Sequence, residues 1–209
     1  MKKNILFLTY CSKEYMPLAE IVLPARKSYC KRHGYNLYIQ DKPITGRGSN
    51  WDKIVMILRA LKHADIVVWN GVDVLFMNED VKVENIVDIF PNSSAILATD
   101  HLGVNSDNMI FMNDVWSEQY LTAVDHLGYH LYKDHVWAEQ EALIRFSSAA
   151  PYVDKVAFAQ QNIMNSYINS EYGRPEHWPG NYKLGDWLVH LPGLPFARRI
   201  ELARKFTEK

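Results

Sequence analysis

The segment Asp65-Ile66-Val67-Val68-Trp69 constrains the fold more than any other. An unbroken apolar run of this length has no polar face to turn to water. As a strand it must be covered on both sides, as happens inside a parallel sheet with helices on each face. The run stops at Asn70-Gly71-Val72-Asp73, and a second apolar stretch, Val74-Leu75-Phe76-Met77, begins at once. A carboxylate set between two buried segments costs desolvation energy unless a cation or several hydrogen bonds meet it. Spacing alone leaves a plainer reading open, a surface turn between two strands, because Asn-Gly is a strong turn signal.

The remaining chain alternates in the same style. A strand over 4–9 precedes a helix over about 17–33, ended by His33-Gly34, and a second strand over 35–40. The stretch 41–50 holds Pro43, Gly46, Gly48 and Ser49 and reads as a loop. The helix predicted over 52–63 lines up Ile54, Ile57, Leu58 and Leu61 on one face. Strands follow at 95–99 and 109–112, helices at 115–127 and 136–147, and short strands at 155–158 and 187–189. An amphipathic helix, basic on one side, covers 196–207. This alternation predicts an α/β fold, one domain over 1–209 with a central, mostly parallel sheet flanked by helices. Asp73 and Asp100 end apolar strands and Asp107 precedes another, which gathers carboxylates at one sheet edge. In open α/β sheets the ligand lies beyond the carboxyl ends of the strands.

Composition excludes several classes of function. The net charge is −1 and the basic residues are scattered, so the concentrated positive stripe that a nucleic-acid polymer requires is missing. No stretch approaches the ~18 apolar residues of a membrane span, and the first apolar run is too short for a secretory signal. The expected location is therefore the cytoplasm, unless the chain is a soluble catalytic domain of a longer protein. Cys11 and Cys30 are too few for a disulfide framework and read as reduced thiols. Twelve Tyr and six Trp supply flat rings that serve cores first and also stack on bases and sugars.

Of the eight histidines, His63, His126, His130 and His177 read as surface or packing residues. His190 differs, because it ends the apolar strand Trp187-Leu188-Val189 and is followed by Leu191-Pro192-Gly193, where the backbone can approach a ligand closely.

Trp69-Asn70-Gly71-Val72-Asp73-Val74-Leu75-Phe76-Met77-Asn78 resembles the W-x-D-x-D-hydrophobic-hydrophobic-F-x-N signature of GT-A glycosyltransferases. In that signature two aspartates hold Mn²⁺ or Mg²⁺ on the donor diphosphate. Asp73 stands at the second aspartate and Gly71 at the first, so the chain departs from the pattern there. Gly185-Asp186-Trp187-Leu188-Val189-His190-Leu191-Pro192-Gly193 resembles the G-D-hydrophobic-hydrophobic-H-x-x-G element of retaining GT-A enzymes, whose histidine completes the metal shell. Further elements are similar to family 34, the α-galactosyl-, α-xylosyl- and mannosyltransferases. They are Tyr29-Cys30-Lys31-Arg32-His33-Gly34-Tyr35, Trp51-Asp52-Lys53-Ile54, Glu139-Gln140-Glu141-Ala142-Leu143 and Asn165-Ser166-Tyr167, in the family's order. Two more departures stand out. Asn105-Ser106-Asp107 carries a carboxylate where the family has N-x-G, and the lysine that often follows the terminal H-x-x-G is missing, leaving Arg198 or Arg199 for the diphosphate.

The resemblance implies a single GT-A (Rossmann-like) domain that moves a sugar from a nucleotide diphosphate donor, UDP by family analogy, to a glycan or glycoprotein acceptor, with retention of anomeric configuration. It implies Mn²⁺ or Mg²⁺ on Asp73 and His190, and donor contacts from Thr9, Tyr10, Lys53, Gly71, Val72 and Asp73. Glu139 and Gln140 would face the anomeric carbon, and Asp100 and Asp107 would bind sugar hydroxyls, whose paired donors suit a carboxylate. For Glu139 the plain alternative is an acidic residue favoured in the first turn of a helix. Two rivals follow from Gly71 and from the carboxylates: a catalytically weak or inactive protein that binds nucleotide sugars or glycans, and a metal-dependent hydrolase of nucleotide diphosphates.

Overall fold

The computed structural model describes residues 2–207. The central sheet is built from β1 (Ile5–Tyr10), β2 (Asn36–Gln40), β3 (Ile66–Asn70), β5 (Ala95–Asp100), β6 (Gly103–Met112) and β7 (Val156–Ala159), while β4 (Val74–Phe76) and β8 (Leu188–His190) form a separate pair. The large sheet runs β2-β1-β3-β6-β5-β7. Its strands are parallel except β6, which pairs antiparallel with both β3 and β5.

The helices are α1 (Met16–His33), α2 (Ser49–Leu61), α3 (Val83–Ile89), α4 (Val115–Ala123), α5 (Tyr129–Tyr132), α6 (Ala138–Ser147), α7 (Gln161–Met164), α8 (Asn169–Tyr172) and α9 (Phe196–Thr207). Gly34 closes α1 at φ 70°, a left-handed conformation that glycine adopts without a Cβ penalty. None of the described helices is long and apolar enough to cross a membrane.

The apolar run at 66–69 is covered on both faces, as expected. Val67 and Trp69 join Leu8, Ile57, Met109 and Phe111 in a core with α2, α4 and α6. Ile66 and Val68 join Phe7, Tyr29, Ile110 and Trp187 in a second core on the side of α1. A third cluster, including Leu75, Val189 and Leu202, seats α9 against β4 and β8.

Two expectations are corrected. The strand predicted over 109–112 starts at Gly103, because the polar run Asn105 to Asn108 is part of the sheet, with Asn105, Ser106 and Asn108 buried against other polar groups. The helix predicted over 115–127 ends at Ala123 and passes into a π turn over Val124–Gly128, where a Cβ on Gly128 would lie 2.7 Å from that of Ala142. The short helix α3 was not anticipated at all.

Candidate active site

The strand β3 ends at Asn70, and the turn beyond it is held from behind. Arg26, fully buried on α1, donates from Nη1 to the Asn70 carbonyl (3.2 Å) and from Nη2 to those of Gly71 (2.8 Å) and Val74 (3.1 Å). Burial lowers its guanidinium to about 10, still charged at neutral pH. This clamp aims Asp73 into a cleft lined by Tyr10, Ser49, Lys53, Trp69, Gly71, Val72, Asp107 and Arg199, among others.

The antiparallel pair β4–β8 places His190 opposite Val74, so the imidazole lies against Asp73. Its Nε2 is 3.4 Å from Asp73 Oδ1 and 3.6 Å from Asp107 Oδ2. Ligand atoms of the three residues all lie within 4.8 Å of one another. The orientation of the ring is fixed by a relay of buried amides. Asn70 Nδ2 donates to Asn108 Oδ1 (2.8 Å), and Asn108 Nδ2 donates to Asn165 Oδ1 (3.1 Å). Asn165 Nδ2 donates to the Thr99 carbonyl (3.2 Å), which leaves its Oδ1 facing His190 Nδ1 at 2.8 Å. That oxygen can only accept, so Nδ1 carries the proton and the neutral ring offers the lone pair on Nε2. Nε2 is fully buried and, among the described residues, has no hydrogen-bond partner. Two carboxylates and an imidazole nitrogen that lacks a partner make a donor set suited to Mn²⁺, and to a partly hydrated Mg²⁺.

Arg199, from α9, donates to Asp73 Oδ2 at 2.8 Å. Burial works to raise the Asp73 carboxyl, but a protonated His190 and Arg199 outweigh it and hold the group at about 2. Arg198, the other candidate for the diphosphate, instead pairs with Glu171 (2.6 Å) and Glu201 (2.5 Å).

Lys53 is buried, with Nζ bonded to Glu139 Oε1 (2.7 Å), to the oxygens of Ser106 (3.0 and 3.1 Å) and to Asp107 Oδ1 (3.2 Å). Burial would depress its ammonium, yet Asp107 and Glu139 more than compensate and lift it to about 12. Its donors are thus committed to protein oxygens. Glu139 Oε1 also accepts from Ser106 Oγ (2.8 Å), while Oε2 is buried without a partner among the described residues. Gln140 accepts from the Ser106 amide (3.1 Å) and lines a second recess with Trp137 and Glu139, next to the first.

The sequence candidates divide accordingly. Tyr10, Lys53, Gly71, Val72, Asp73 and Asp107 line the cleft, Glu139 and Gln140 line the adjoining recess, and His190 lies beneath. Thr9 is fully buried and lines neither. Asp100 is also outside both; its carboxylate accepts from Tyr167, Asn105 and the Leu102 amide. The surface histidines, His63, His126, His130 and His177, are exposed as expected. Sequence reasoning gave no role to Arg26 or Ser106, and it noted Asn165 only as part of a matching element.

This sheet order, with the acidic turn after β3, is the fold of the GT-A glycosyltransferases. A glycosyltransferase involved in the glycosylation of the major capsid of PBCV-1 superposes with a TM-score of 0.73 at 15% identity, covering 97% of this chain and 99% of that one. The glycosyltransferase GlyE of Streptococcus pneumoniae gives 0.67 at 11% identity (100% and 61%), and the galactosyltransferase LgtC with donor and acceptor sugar analogues gives 0.62 at 12% identity (97% and 96%). Residues 2–92 match the model of the galactosyl transferase GMA12/MNN10 family. A probable alpha-1,6-mannosyltransferase of Saccharomyces cerevisiae is 22% identical, covering 91% of this chain. The chain spans 59% of the length of that curated relative.

Proposed function

We propose that the chain transfers a hexose or pentose from a nucleotide diphosphate sugar, UDP-linked by family analogy, to a glycan or glycoprotein acceptor, with a divalent metal and with retention. The observation that carries the reading is His190 Nε2, buried and without a partner, beside two carboxylates at the floor of a cleft. Asp73 and His190 would hold Mn²⁺ or Mg²⁺, whose chemistry here is Lewis-acid neutralisation of the departing diphosphate.

The chain's own groups do the rest. Arg199 places a fixed positive charge at the mouth of the site, where charge develops on the leaving group. Tyr10 offers a ring for the base. Lys53 and Ser106 hold Glu139 by one oxygen, so that Oε2 keeps its lone pairs for the sugar. Glu139 either attacks the anomeric carbon as a nucleophile, expelling the nucleoside diphosphate and forming a glycosyl ester that the acceptor oxygen then displaces as its proton passes to the departed phosphate, or stabilises positive charge on that carbon. In the second course the acceptor oxygen bonds to that carbon as the bond from the carbon to the phosphate oxygen breaks, and the acceptor's proton passes to the departing phosphate oxygen. Orientation of the acceptor is then the main contribution, worth up to ~7–11 kcal/mol.

A panel of UDP- and GDP-sugars, with Mn²⁺ and a range of glycan acceptors, tests the proposal by product formation and slow donor hydrolysis. Transfer from at least one donor, lost on chelation, is expected. Binding of UDP with neither transfer nor hydrolysis would favour a nucleotide-sugar-binding protein, the reading that Gly71 motivates.

A further inference from the structure

The antiparallel ladder between β3 and β6 ends with Asn70 opposite Asn108, so the next pair in register is Gly71 and Asp107. The Gly71 amide donates to the Asp107 carbonyl at 2.8 Å, which continues the ladder into the turn. Residues paired across strands send their side chains to the same face of a sheet. A Cβ placed on Gly71 would stand 3.1 Å from both Cβ and Cγ of Asp107 and 3.0 Å from Asp73 Oδ1. Positions 71 and 107 therefore open on one volume that has room for one side chain. Here Asp107 fills it.

We propose that Asp107 supplies, from the neighbouring strand, the metal-binding carboxylate that position 71 lacks. The geometry agrees at each point. Asp107 Oδ2 reaches to 3.6 Å from His190 Nε2, and its other oxygen is steadied by Lys53 at 3.2 Å. Asp73 already shares its charge with Arg199, so a second carboxylate is needed if a divalent ion is to meet net negative charge. His190 Nε2, buried and unpaired, points to a ligand independently of the two acids. The glycine at 71 is then a requirement of the arrangement, since any larger residue would crowd Asp107. The carboxylate has changed strands while the site has kept it.

This inference rests on the metal reading of the site, and Mn²⁺ binding separates the two. Calorimetric titration with Mn²⁺, with and without UDP, is made on the unaltered chain, Asp73→Asn, Asp107→Asn and Gly71→Asp/Asp107→Gly, each checked for folding by circular dichroism. Asp107→Asn should weaken Mn²⁺ at least about tenfold, the lower end of what disturbing even a supporting shell costs. The double exchange should recover most of that affinity. Mn²⁺ binding lost in Asp73→Asn but unchanged in Asp107→Asn would overturn the proposal and leave the metal reading standing. A folded double variant no better than Asp107→Asn would also overturn it. No Mn²⁺ binding by the unaltered chain would end both.

Discussion

His190 lies against Asp73, with Nε2 3.4 Å from Oδ1, because β8 pairs with β4 and puts His190 opposite the residue that follows Asp73. Two segments remote in sequence meet through a ladder of three residues a side. Whatever holds that ladder and the imidazole in place also holds the site.

Asn165 is the first such support. It accepts the hydrogen bond from His190 Nδ1–H and so leaves Nε2 free. Asn165→Leu should keep the fold yet let the ring rotate or change tautomer, lowering Mn²⁺ affinity about 10–100-fold. Calorimetry reads the affinity, and an NMR measurement of the His190 tautomer reads the cause.

Lys53 balances two carboxylates inside the protein. Lys53→Met leaves Glu139 buried without its cation and should destabilise by about 3–5 kcal/mol in urea unfolding. Lys53→Met/Glu139→Gln should recover much of the loss, a coupling that a double-mutant cycle measures. Burial opposes the charge on Lys53, but Asp107 and Glu139 raise it to about 12 from 10.5. The pairing therefore stabilises fully below pH 10.5 and is lost as pH rises through about 12. The double variant should lack that alkaline component.

Arg199 bridges Asp73 and the cleft. Arg199→Gln removes a charged donor from the proposed diphosphate position, and hydrogen bonds to charged groups contribute about 1.5–3 kcal/mol. UDP binding should weaken by about 10–100-fold, whereas Arg198→Gln, which breaks only the Glu171 and Glu201 pairs, should leave it unchanged.

Arg26 donates to three carbonyls around the Asp73 turn. Arg26→Met strands the Asn70 and Val74 acceptors, each worth about 1–3 kcal/mol, while Gly71 keeps the Val74 amide at 3.3 Å, so the loss should reach at least about 2 kcal/mol. Urea unfolding of the variant checks it.

Much of this was legible in the sequence, for particular reasons. The run at 66–69 is apolar on both faces because the sheet has a core on each side. Asp73 drew notice as a charge between buried segments, and His190 as a polar end to an apolar strand. What stayed hidden was polar or short. Asn105 to Asn108 break the apolar pattern because they face the site and one another, which concealed the first half of β6 and kept Asp107 from being seen as the partner of Gly71. Three-residue strands such as β4 and β8 show no period, so their pairing left no trace. An arginine on an 18-residue helix that also carries Lys27, Lys31 and Arg32 reads as exposed, which hid Arg26. Lys53 was expected to reach the donor, and its commitment to Glu139 and Ser106 needed coordinates to appear.

The most direct measurement is the thermal shift given by UDP with and without Mn²⁺, in the unaltered chain and in Asp73→Asn. Ligand at a hundred times its Kd adds about 2.7 kcal/mol, and a domain of this size moves about 2–4 °C per kcal/mol. Mn²⁺ should enlarge the shift caused by UDP in the unaltered chain, and Asp73→Asn should lose that increment while remaining folded. An increment of equal size in both proteins would contradict the convergence of Asp73 and His190 on one divalent ion.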